Sequence, residues 1–235
     1  MKKRLIGAIS LSAAVLGIVS QLPLAWIAPL IIPDALGANV SYSGTVWDGH
    51  IKDIDFIGRA NFKLNPKALL SNELPLSFQT SSSSMTFSGK ASRNRLKDLR
   101  FLGQLAGLPT TDGRLKELVG EVNVQVSELN YSDKCVSAKG QASTDFLQRN
   151  RARWQWQGPF LKGPLSCDQG DLIANLSGSE NGQTIQANLR IAMGGAYRAD
   201  FVVQTPQPAA GIVLPLYGFD KRGREFHLTE QGKWR

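Results

Sequence analysis

The stretch Glu121–Leu129, "EVNVQVSEL", alternates strictly: Val122, Val124 and Val126 fall on one side and Glu121, Asn123 and Gln125 on the other. A period of two over this length describes a strand with one buried and one wetted face, and it excludes an amphipathic helix, whose apolar residues recur at three and four. The same alternation appears on both sides of this stretch, at Phe62/Leu64, Leu76/Phe78, Met85/Phe87, Ile185/Ala187/Leu189/Ile191 and Tyr197/Ala199/Phe201/Val203. Turn signals separate these runs at Asp168-Gln169-Gly170, Glu180-Asn181-Gly182 and Met193-Gly194-Gly195. Short strands at such spacing predict a mainly β chain, a meander of antiparallel strands forming a curved, sandwich-like sheet.

Two stretches break the period. Asn65-Pro66 makes a cap and first-turn pair, so "NPKALLS" predicts one or two helical turns. In "SRNRLKDLRFLGQLAGLP", Leu96, Leu99, Leu102 and Leu105 recur every three residues after Ser92 and before Gly107-Leu108-Pro109. That pattern predicts a helix packed across one end or face of the sheet. Near the start of the strand-rich region, "SYSGTVWDGH" sets Gly44, Thr45, Trp47 and Gly49 close together. Val46 and Trp47 suit a strand, and Asp48-Gly49 is the hairpin turn signal.

The amino-terminal region has different chemistry. Three cations, Lys2, Lys3 and Arg4, precede an uncharged stretch from Leu5 to Pro33. About 20 helical residues cross a hydrocarbon core, and the run that holds Leu5, Ile9, Leu16 and Val19 supplies that length. No clean small-x-small cleavage site follows it, so it reads as an uncleaved anchor rather than a removed signal peptide. The expected organisation is a cytoplasmic tail over 1–4, a transmembrane anchor over 5–30 and an exported all-β domain over 39–235. The cations stay inside, and Trp26 sits at the far interface.

Cys135 and Cys167 are the two cysteines, 32 positions apart. In an exported chain such a pair reads as one disulfide, worth about 3–4 kcal/mol by loop entropy. A C-x-x-C redox motif is missing, and neither histidine, His50 or His227, lies near a cysteine, which argues against zinc.

The charge balance is 27 basic against 19 acidic groups, or +8. Three of these charges belong to the amino-terminal tail. No dense basic stripe with interleaved aromatics is present, so the composition does not favour nucleic acid as a partner. Catalysis is equally unsupported: the chain has no G-x-S-x-G elbow and no phosphate-cradling loop. The pair Asp53 and Asp55 fits the solvated face of a strand. No cofactor is expected. Trp154 and Trp156, two apart and followed by Gly158-Pro159, fall on one side of a strand. They serve either as a partner surface or, more simply, as core beside the disulfide.

Taken in order, "LPLAW", "SGTVWDGH", "LKELVGEVNVQVSELNY", "CVSAKGQA", "RWQWQGP", "GPLSCDQGDLIANL" and "GGAYRADFVVQT" resemble the type II secretion system protein N (general secretion pathway protein N) family across nearly the whole chain. The resemblance rests most on Gly44-Thr45-x-Trp47-x-Gly49 and on the pair Cys135/Cys167. It implies a non-enzymatic, single-pass inner-membrane protein of Gram-negative bacteria with a periplasmic β domain. Its partners would be other components of the machine that exports folded proteins across the outer membrane. Trp47 would then be a packing residue at the start of that domain. A broader similarity to AsmA-like envelope proteins gives a runner-up reading, a β domain that holds lipid on an uncovered apolar face.

Overall fold

β-branched and aromatic residues at every second position leave each strand with one apolar face, and hairpins join such strands at little entropic cost. The computed structural model describes residues 23–26, 40–54, 57–71, 73–107 and 117–233. These form 14 strands, antiparallel to their partners within each unit, and a few short helices. The chain divides into two units, Met1–Ser83 and Ser84–Arg235.

In the first unit four strands follow one another in sequence order: β1 (Ser41–Gly44), β2 (Asp48–Ile54), β3 (Gly58–Leu64) and β4 (Leu76–Ser81). The β1–β2 turn lies two residues earlier than the sequence suggests. Gly44 pairs with Gly49, and the Thr45 amide donates to the Asp48 carbonyl at 2.9 Å. The turn is therefore centred on Val46-Trp47, while Asp48-Gly49 opens β2. Two local groups fix it. Gly44 takes φ 86°, where a side chain would strike the Asp48 carbonyl. The Thr45 hydroxyl accepts from the Trp47 and Asp48 amides at 3.3 and 3.2 Å. Leu24, Ile51 and Ile54 form the buried core of this unit, with Tyr42 and Phe62 packed around them. Asn65 caps the 3-10 turn Pro66–Leu70 by accepting from the Lys67 amide, as its pairing with Pro66 predicts.

Most of the expected anchor, including Leu5, Ile9, Leu16 and Val19, lies outside the described residues, as does Asp55. Pro23–Trp26 are described. Pro23 bridges Thr45, Leu24 is buried, and Trp26 is 71% exposed. Among the described residues no helix is long and apolar enough to cross a membrane.

The second unit opens with β5 (Met85–Ala91), β6 (Arg95–Gln104), β7 (Glu121–Tyr131) and β8 (Cys135–Thr144), paired in chain order. Two single-turn helices, α1 (Phe146–Arg149) and α2 (Arg151–Trp154), precede β9 (Leu161–Asp168), β10 (Asp171–Glu180), β11 (Gln183–Ile191) and β12 (Ala196–Gln204). After β12 comes α3 (Ala210–Leu216), and the order then inverts: β14 (Glu225–Lys233) pairs with β12, and the three-residue β13 (Asp220–Arg222) lies outside it.

The helix expected over Ser92–Gly107 is instead β6 followed by a 3-10 turn over Leu105–Gly107. The step of three from Leu96 to Leu99 arises because Lys97 and Leu96 pair with Lys90 and Ala91, whereas Arg100 pairs with Ser88, so one extra residue is absorbed in β6; Leu102 falls on the other face and is 44% exposed. Asp98 sits in that bulge at φ 51°, which brings Leu96 and Leu99 to the same face. A matching shift in β7 between Val126 and Glu128 carries the apolar face from Val126 to Leu129. In β2 a third shift, with Asp53 at φ 61°, joins Ile51 to Ile54. A bulged strand thus imitates the spacing of a helix face.

The Asp98 carboxylate reaches Lys90 only as an exposed pair at 3.3 Å, so its backbone conformation outweighs its charge. Asp98→Gly is expected to keep or raise the thermal midpoint, whereas Asp98→Val lowers stability by about 1–2 kcal/mol through left-handed strain. Paired thermal melts of the two variants check this.

Candidate partner-binding cavity

The segment between β8 and β9 is held by two polar side chains. Asp145 accepts from the Glu121 amide at 2.8 Å and from Arg149 at 2.6 Å. Buried Asn150 accepts from the Val119 amide at 3.1 Å and donates to the Val119 and Phe146 carbonyls. These contacts tie the α1–α2 segment to the backbone at the entrance to β7, at Val119 and Glu121. Gln155 then takes a left-handed conformation at φ 50°, ends α2 and turns the chain inward.

Consequently Trp154 and Trp156 do not share the face of a strand. Trp154 closes α2 and Trp156 follows the left-handed turn, their ring centroids 6.1 Å apart. Nor do they pack beside the disulfide. They belong to the buried cluster of Leu161, Ile185, Val203, Leu214 and Phe226, whereas Cys135 lies in another cluster with Leu99, Val126 and Leu165. The Trp154 indole donates to the Tyr217 hydroxyl at 3.0 Å. Trp156, only 2% exposed, donates to Gln183 Oε1 at 2.9 Å. Gln183 is itself 1% exposed; its amide nitrogen donates to the Gln157 carbonyl, and Thr205 donates to its Oε1 at 3.3 Å. All the polar atoms of this side chain are thereby used.

Around these rings lies a cavity of about 490 Å³, within the ~300–1,000 Å³ of sites that take small ligands or protruding side chains. Trp154, Tyr217, Phe219, Phe201 and Leu228 line it, and Glu230 is the one charged residue on its wall. Its chemistry suits an apolar guest. On the opposite side of β12, Arg198 and then the Thr229 hydroxyl hydrogen-bond Asp200 and hold its carboxyl below the usual range. The hydrogen bond from Thr229 to Asp200 ties β12 to β14; the contribution of the ionised carboxylate is present above ordinary carboxylate pKa values and fades as pH falls below them. Near α2, the hydrogen bond from Arg153 to Glu117 keeps the guanidinium above its ordinary range.

The remaining residues singled out from the sequence lie elsewhere. Cys135 and Cys167 are joined, with Cα atoms 5.5 Å apart, and link the start of β8 to the end of β9. Gly44, Thr45, Trp47 and Gly49 belong to the first hairpin, where the Trp47 indole nitrogen is buried without a hydrogen-bond partner. Among the described residues no group of three or more His, Cys, Asp or Glu side chains stands together as a metal site. Sequence reasoning missed Tyr217, Phe219 and Gln183. The run "LPLYGF" at the end of α3 carried the signal, with two aromatics flanking a glycine.

The family model for type II secretion system protein N matches residues 39–224, from just before β1 to the β13–β14 turn. The chain belongs to this family. No curated protein and no solved structure matches it. The match covers strands of both units, so the cavity residues as far as Phe219 fall within the protein N family region, while Leu228 and Glu230 fall just beyond it.

Two outcomes are expected. Gln183→Leu strands the Trp156 indole, the Gln157 carbonyl and the Thr205 hydroxyl, costing about 2–4 kcal/mol in urea unfolding. Adding Trp156→Phe to it costs less than the two single changes predict. Reduction of Cys135–Cys167 lowers the melting temperature by roughly 10 °C.

Proposed function

We propose that this chain is a non-enzymatic, single-pass component of the inner membrane that takes part in the assembly or working of the type II secretion machine. Residues 1–4 face the cytoplasm, the anchor lies within 5–30, and the body over 39–235 stands in the periplasm. The observation that carries this reading is the family match over residues 39–224, which implies association with other type II secretion components.

Three further features support it. The uncharged amino-terminal run follows three cations, as an inward-anchored helix requires. The disulfide suits an oxidising compartment. Pro23 meets Thr45 and Leu24 is buried against the first hairpin, so the described residues of the uncharged run lie against the β body. Gly44 to Gly49 would be where that contact is made.

A carboxyl-terminal alkaline phosphatase fusion is expected to be active, and tryptic peptides from the membrane fraction should include residues before Pro23. A cytosolic carboxyl end would overturn the assignment. In-cell crosslinking is expected to capture other secretion components; a stoichiometric phospholipid in the purified protein, without such crosslinks, would favour the lipid-holding reading instead.

A further inference from the structure

Strand β14 is paired with β12 along its whole length, from Glu225 opposite Gln204 to Lys233 opposite Ala196. Its other side is different. Only Glu225–His227 are paired there, with β13, because Gly218 at φ 87° and Phe219 lead back to α3. From Thr229 to Lys233, no strand among the described residues lies against this outer side, and all five residues are exposed. Alternate residues of such a strand present N–H and C=O groups outward, ready to pair with another extended segment. No proline or bulge blunts this edge.

The open edge and the apolar cavity adjoin. Leu228 and Glu230, on β14 itself, line the cavity together with Phe219 and Tyr217 from the segment that leads into β13. A strand added alongside Thr229–Lys233 would turn every second side chain toward that space. Charge narrows the occupant at one end only: Lys233 is exposed and has no ion-pair partner among the described residues, whereas Arg222 and Arg224 lie at the other end, by the β13–β14 turn, level with Glu225 and beyond it.

We propose that the Thr229–Lys233 edge and the cavity behind it form one docking site for an extended polypeptide segment. The segment adds as a further strand, sets alternate apolar side chains into the cavity, and carries a carboxylate at the end that meets Lys233. Main-chain pairing supplies affinity, and the cavity supplies selectivity. This rests on the secretion-component reading for the identity of its partner, but the edge itself can be tested in whatever compartment the body occupies.

The test titrates the full chain in detergent into a labelled ten-residue peptide that alternates valine and threonine between paired glutamates, read by fluorescence anisotropy. Two further peptides carry N-methyl groups on the odd or on the even amides. Saturable binding is expected for the parent peptide. One methylation pattern should weaken it by about tenfold or more and the other should leave it nearly unchanged, because an added edge strand pairs on one side only. Lys233→Glu should weaken the parent peptide by roughly three- to tenfold, with no change in melting temperature. Equal binding by both methylated peptides would overturn the strand-addition mode. Absence of peptide binding, with saturable quenching of tryptophan fluorescence by dodecanoate, would overturn the proposal in favour of a lipid tail in the cavity.

Discussion

A β-strand satisfies its main-chain hydrogen bonds in the plane of the sheet and buries its side chains out of that plane. A meander therefore grows from hairpin to hairpin, yet each added strand brings another strip of apolar surface that the sheet cannot cover by itself. For one of the two buried clusters of the second unit the cover comes from the two interruptions of the meander. The α1–α2 segment lays Trp154 and Trp156 over Leu161 and Ile185, and α3 brings Leu214 and Ala210, the latter 0% exposed, onto Val203 and Phe226. Where these pieces do not fully meet, the aromatic-lined cavity remains.

The two clusters of this unit are held by different means. Around Leu99, Val126 and Leu165 a covalent bond joins Cys135 to Cys167, so packing is aided by a restricted unfolded chain. Under the helices no covalent link exists, and the fixed points are hydrogen bonds from two indoles to Tyr217 and Gln183. A buried amide with every polar atom partnered sets ring orientation more narrowly than apolar contact does. The shape of the cavity wall follows from that network.

Strands whose side chains alternate without interruption were legible in the sequence: β7 from Glu121 to Val126, and the inner faces of β11 and β12. The reading failed where the chain inserts one residue. In β6 the bulge at Asp98 turns a step of two into a step of three, and a leucine repeat produced by a strand cannot be told from one produced by a helix. The first turn was placed late because Asp48-Gly49 is the commoner turn signal, whereas Gly44 and the Thr45 hydroxyl determine the geometry. The cavity was only half visible. Trp154 and Trp156 stood out by composition, but Tyr217, Gln183 and Leu228 come from distant segments, and only the fold brings them together.

The inversion of strand order at the carboxyl end bears on assembly. Every strand from β6 to β12 finds a neighbour immediately before it in the chain, so those pairings can form as soon as the residues are available. The β12–β14 ladder cannot: Gln204 must wait for Glu225, and Ala196 for Lys233, while α3 and β13 are interposed. In a chain that emerges amino end first, β12 is thus a sticky, half-finished border until Glu225–Lys233 arrive. A stop before Glu225 would leave a long template for misassociation.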